Sequence, residues 1–115
     1  MGTFKNTVSE AVEFMKVEDD LLVVGVKAQL FNRIGEIKNI DLPEEGSEVA
    51  KGDECVFITG VEEDLHLRAP IHGVVLEVND LFSEDLEKHK DDPDYFAWVF
   101  KIEPSDIEDL VEFEE

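Results

Sequence analysis

Apolar residues in this chain come in short runs, and turn-forming residues interrupt them every few positions. That punctuation suits short strands joined by tight turns, and it points to a mostly β fold. Val12, Phe14 and Val17 lie on a first predicted strand. Asp19-Asp20 reads as a turn, and the β-branched run Leu21–Val26 as a second strand. Ile37 and Ile40 follow, then the turn Pro43-Glu44-Glu45-Gly46, where proline presets its φ and glycine permits a positive one. Val49 precedes another turn at Lys51-Gly52-Asp53. Cys55 to Thr59 reads as a strand entering a hairpin, and Leu65 and Leu67 alternate with His66 and Arg68 on the way back. Ala69-Pro70 makes an extended corner. Gly73 to Val78 is a strand ended by Asn79-Asp80, and Val99 to Ile102 is the last one.

Helical signals are confined to three places. Lys27 to Ile34 carries Leu30, Phe31 and Ile34 at helical spacing, with Gly35 to stop it. Ser83 is expected to cap a second helix, with Glu84 and Asp85 in its first turn and Lys88, His89 and Lys90 in its last. That charge order suits a helix dipole. Ser105-Asp106-Ile107-Glu108 reads as a capping box, with Ile107, Leu110 and Val111 on an apolar face and an acidic, fraying tail from Glu112 to Glu115. A chain of 115 residues has room for one core, so residues 1–115 are expected to form a single domain.

The net charge is −20, with charged residues at 35%. Its sign opposes binding to nucleic-acid phosphates and to anionic lipid headgroups, so neither nucleic acid nor membrane is expected as a partner. A protein partner would present a basic patch, unless the charge serves solubility alone. With Cys55 as the one cysteine, no intrachain disulfide can form, which fits a reducing cytoplasm. The N-terminus lacks a charged-then-apolar signal pattern, and Leu21–Val26 is far too short to span a bilayer. A cytoplasmic monomer is expected.

The order of these blocks is more specific than their number. Val24-Gly25-Val26, the short helix to Gly35, Asp41-Leu42-Pro43-Glu44-Glu45-Gly46 and Val49-Ala50-Lys51-Gly52-Asp53-Glu54 together resemble the H protein of the glycine cleavage system. The strongest block is Ala69-Pro70-Ile71-His72-Gly73-Val74-Val75-Leu76-Glu77-Val78-Asn79, and Trp98 to Ile102 with Ser105-Asp106 resembles the family's last strand and helix start. The likeness runs from about Val12 to Asp106. It implies a barrel-sandwich hybrid of the lipoyl-domain type. A short helix would follow the second strand, and two helices would lie in the C-terminal third. The hairpin core would span about residues 36–79 and the helical part about 83–115. Gly25, Gly35, Pro43, Gly46, Gly52, Ala69, Pro70, Gly73, Asn79 and Trp98 would be its structural motif residues.

H proteins are not enzymes; they carry lipoate on one lysine at a hairpin tip. The family's tip usually reads glutamate-serine-valine-lysine-alanine, and this chain reads Thr59-Gly60-Val61-Glu62-Glu63-Asp64. The resemblance sets Glu62 at the carrier-lysine position. A carboxylate cannot form the amide that attaches lipoate, and no lysine lies between Lys51 and Lys88. Lipoate is the cofactor expected of the family, but none is expected here. The implied role is a non-catalytic docking or regulatory module, meeting glycine decarboxylase or a lipoate-handling enzyme. The alternative is a carrier or partner in another lipoate-dependent one-carbon or sulfur-transfer pathway, acting through Lys51 or Cys55.

An enzyme is the remaining class. Glu62, Glu63, Asp64 and His66 could gather oxygen ligands for a divalent ion, although a solvated turn is the simpler expectation in so acidic a chain. A Cys55 dyad with His66 or His72 is conceivable, but a cysteine in a strand usually packs as a small hydrophobe. Phe57, Trp98 and Phe100 are expected as core or sheet-face aromatics. No metal site is expected.

Overall fold

A computed structural model describes residues 12–114. Among these residues, eight strands form two antiparallel sheets. β1 (Glu13–Glu18), β2 (Leu21–Lys27), β8 (Phe96–Pro104), β7 (Gly73–Val78) and β4 (Glu48–Val49) lie in that order in the larger sheet. β3 (Ile37–Asp41), β5 (Glu54–Gly60) and β6 (Asp64–Arg68) make the smaller one. α1 (Leu30–Ile34) joins β2 to β3, and α2 (Phe82–Lys88) joins β7 to β8. A 3-10 helix, Ile107–Phe113, follows β8.

One apolar core is shared by both sheets. β2 contributes Leu22, Val24 and Val26, β8 contributes Val99, Phe100 and Ile102, and β5 and β6 contribute Val56, Ile58, Leu65 and Leu67. The period of two along β6 explains its share, with Leu65 and Leu67 inward and His66 and Arg68 in solvent. Leu30 and Ile34 of α1 and Phe82 and Leu86 of α2 close the core from the connections. No polar side chain among the described residues is buried, so the core holds together by packing and apolar burial.

Turn chemistry sets the register. Asp19 and Asp20 both have positive φ, 53° and 63°, and Glu18 pairs with Leu21 across them. Such a two-residue loop matches the twist of the strands it joins. Gly52, at φ 95°, completes the Ala50–Asp53 turn, where the Asp53 N–H donates to the Ala50 carbonyl at 2.9 Å.

Several boundaries differ from those expected. Lys27 belongs to β2, opposite Phe96, so α1 begins only at Leu30. Glu48–Val49 pairs with Val74 and Gly73, a strand too short for any period to announce. β8 starts at Phe96, three residues ahead of Val99, and carries a bulge opposite Val24/Gly25. Ser83 does not cap α2. It lies inside the helix, whose entry is held by Asn79 Oδ1 accepting from the Leu81 N–H at 3.1 Å.

The C-terminal helix differs most. It is a 3-10 helix capped by Asp106, whose Oδ1 accepts from the Glu108 N–H at 3.0 Å, so Ser105 is not its cap. With three residues per turn, Leu110 and Phe113 share a stripe and turn inward. Val111 falls off that stripe and is exposed, as is Ile107 in the helix's first turn.

Candidate functional site

The β5–β6 hairpin presents an exposed, acidic tip on the smaller sheet. Thr59 pairs with Asp64 as its last rung, and the Gly60 N–H donates to the Glu63 carbonyl at 3.1 Å to close the loop. Val61, Glu62, Glu63 and Asp64 are exposed, while Gly60 is buried. Glu62, the residue expected at the carrier position, stands at the crown of this loop.

The loop does not stand free. The Val61 N–H donates to the Glu36 carbonyl at 2.9 Å, and the Glu62 N–H donates to the Ile34 carbonyl at 2.8 Å. Arg33 Nε donates to Glu63 Oε2 at 2.9 Å. The end of α1 and the corner at Gly35 therefore back the whole tip. Gly35 has φ 75°, which favours glycine, and a Cβ there would lie 2.9 Å from Glu62 Cγ.

The carboxyl of Glu13 on β1 is linked to this region by its field. Burial pushes it above its ordinary value, and the charges of Arg33 and Arg68 offset only part of that rise. Arg68 also pairs with Glu54 Oε2 at 3.1 Å and donates to the Gly52 carbonyl at 3.2 Å.

Glu62, Glu63, Asp64 and His66 do not gather into a ligand cluster. His66 Nδ1 faces Glu54 Oε2 at 3.3 Å, and its ring stands edge-on to Phe57, because Phe57 and His66 are cross-strand partners. Among the described residues, no group of three or more His, Cys, Asp or Glu side chains could hold a metal ion. Cys55 is buried, with Sγ 3.5 Å from the Asp53 carbonyl. Burial and then Asp53 push its thiol up, and a hydrogen bond involving the Ala69 backbone offsets part of this. Such a thiol is a poor nucleophile. Phe100 lies in the core, whereas Phe57 lies on a sheet face.

The motif residues serve the frame. Ala69 donates its N–H to the Asp53 carbonyl, and Pro70 and His72 line a cleft with Lys51, whose N–H points to His72 Nδ1 at 3.3 Å. Gly73 packs on β8, where a Cβ would lie 2.6 Å from Ile102 Cγ2. Asn79 donates from Nδ2 to the Trp98 carbonyl at 2.9 Å. Pro43 lies ahead of Gly46 in the turn whose Gly46 N–H reaches the Val75 carbonyl at 2.7 Å. Arg33, Ile34 and Glu36, which hold the tip, escaped sequence reasoning. Arg33 and Glu63 are thirty positions apart, and main-chain acceptors leave no mark on a sequence.

Two antiparallel sheets around a shared core, with a tight loop presented between β5 and β6, define a lipoyl-type barrel-sandwich hybrid. A crystal structure of a glycine cleavage system H protein from Mycobacterium marinum has the same fold. The two match with a TM-score of 0.66 at 24% identity, over 81% of this chain and 78% of that one. The pattern of the glycine cleavage H-protein family matches residues 6–115. A glycine cleavage system H protein from Synechococcus sp. (strain JA-2-3B'a(2-13)) is 36% identical over 89% of this chain and 81% of its own length. A probable glycine cleavage system H protein from Pyrococcus horikoshii is 37% identical over 81% of this chain and 69% of its own. This chain belongs to the glycine cleavage H-protein family. Its members are carriers that work with the proteins of the glycine cleavage system, and are not themselves enzymes.

The family's group is lipoate, held through a lysine amide. The β5–β6 loop offers carboxylates and no amine. Among the described residues, no helix is long and apolar enough to cross a membrane.

Proposed function

We propose that this chain is a glycine cleavage H-like protein that carries no lipoyl arm and acts as a docking or regulatory module for glycine decarboxylation. One observation carries the proposal: the crown of the presented loop is Glu62, where the family's lysine is expected. A carboxylate has no nucleophilic amine for lipoyl transfer, and no lysine elsewhere on β5 or β6 could replace it. The retained family fold that presents the loop supports the reading that a docking surface is kept. The partner is glycine decarboxylase or a lipoate-handling enzyme, met by a monomer in the cytoplasm.

Two measurements test this. The protein purified from its own host should show the unmodified intact mass; a lipoyl adduct would sink the proposal. The purified protein should also compete with a lipoylated H protein for glycine decarboxylase. Absence of competition would remove the docking role and leave only the missing arm.

A further inference from the structure

Two tip residues depart from glutamate-serine-valine-lysine-alanine in ways that share one structural consequence. Gly60 stands in place of the serine. A Cβ there would collide with the Ile34 carbonyl, lie 2.7 Å from Ile34 Cβ and lie 2.8 Å from the Glu63 carbonyl. Non-bonded atoms pack at wider separations than these. The hairpin and the end of α1 can approach this closely only because position 60 has no side chain. Glu63 stands in place of the alanine, and its carboxylate takes the Arg33 Nε hydrogen bond at 2.9 Å. Both departures therefore act on α1 and its end. Between them lie the two main-chain bonds from Val61 and Glu62 to Glu36 and Ile34. Position 62 is thus fastened from both sides. The Arg33–Glu63 pair is half-exposed and contributes mainly direction, whereas the Gly60 seat and the main-chain bonds supply most of the hold.

We infer that Gly60, Glu63 and Arg33 are positioning residues that fasten the hairpin tip to α1, and that they oppose lipoate attachment independently of the side chain at position 62. The inference rests on the non-lipoylated reading above. An attaching enzyme must take the loop into its own cleft and orient one amine for reaction. A fastened tip must first leave α1, and a partner that is competent only part of the time is engaged in proportion to that fraction. Missing amine and closed tip are then two separate barriers.

The test is modification of purified variants by a lipoate–protein ligase supplied with lipoate and ATP, read by intact mass. Glu62→Lys alone should be lipoylated at least about ten-fold more slowly than Glu62→Lys combined with Gly60→Ser and Glu63→Ala. Equal rates would overturn the inference. Hydrogen exchange at the Val61 and Glu62 amides gives a second readout that needs neither ligase nor the Gly60→Ser fold. Both amides should exchange slowly in the unsubstituted protein and only modestly faster in Arg33→Ala, since the pair is half-exposed. Fast exchange at both amides in the unsubstituted protein would overturn the fastening, whatever the ligase does. Lipoate found on the native protein would instead sink the non-lipoylated reading, and slow exchange at the same amides would show that the tip is fastened all the same.

Discussion

Gly25 and Phe96 occupy one space on the larger sheet. A Cβ on Gly25 would lie 2.7 Å from Phe96 Cζ and would collide with the Ala97 carbonyl. The Phe96 ring also packs against Phe14, with centroids 4.0 Å apart, and Lys16 and Lys27 ride over the two rings at 5.8 and 5.9 Å. Gly25→Ala should therefore lower stability by about 2 kcal/mol, the usual cost of overpacking. Urea unfolding measures it. An unchanged midpoint would mean that the ring and the β8 backbone yield without strain.

Glu13 gives the fold a pH dependence whose sign is fixed. Its folded carboxyl binds a proton more tightly than the unfolded one, because burial outweighs Arg33 and Arg68. Its contribution is full below the ordinary carboxyl range and is lost as pH rises through the folded value. Glu13→Gln removes the ionised form, so the variant should melt at a higher temperature than the unsubstituted protein at neutral pH. That advantage should shrink on acidification to about pH 4. An advantage that grows in acid would contradict the assignment.

Cys55 should resist thiol reagents in the native protein. Burial and Asp53 both hold its thiol protonated, and the side chain is largely covered. Reaction with a disulfide reagent at about pH 8 should be slow until denaturant is added, then fast. Rapid native labelling would reopen the possibility of a thiol carrier.

The cap of the 3-10 helix can be assigned by a pair of substitutions. Asp106→Ala removes the acceptor of the Glu108 N–H and should cost about 1 kcal/mol. Ser105→Ala should cost much less, because Asp106 is the capping side chain. If Ser105 proved the costlier of the two, the capping box read from the sequence would be right after all.

The strand pattern was legible wherever period two or turn chemistry spoke alone. Leu65 and Leu67 alternate as expected, Gly73–Val78 has the expected ends, and Asp19-Asp20 is the expected turn. Period arguments failed where another element supplied the partner. Val49 became a strand only through β7, and Phe96 to Trp98 joined β8 because Lys27, Val26 and Gly25 lie opposite. Ile107, Leu110 and Val111 look like one apolar face on an α-helix; the 3-10 pitch keeps Leu110 inward with Phe113 and turns Val111 out, while Ile107 is exposed in the first turn. At the tip, the sequence marked the loop and its carboxylates. The contacts that fasten it join distant positions and depend partly on main-chain atoms, which residue identity does not encode.

The Glu62 amide that donates to the Ile34 carbonyl has a consequence for how such a site changes over generations. Every residue type except proline supplies that N–H. An exchange at position 62 therefore leaves this bond in place and alters mainly what an approaching molecule meets. Selection on the occupant of that position acts chiefly through encounters with other molecules, and the main-chain fastening behind it stays in place whichever side chain stands there.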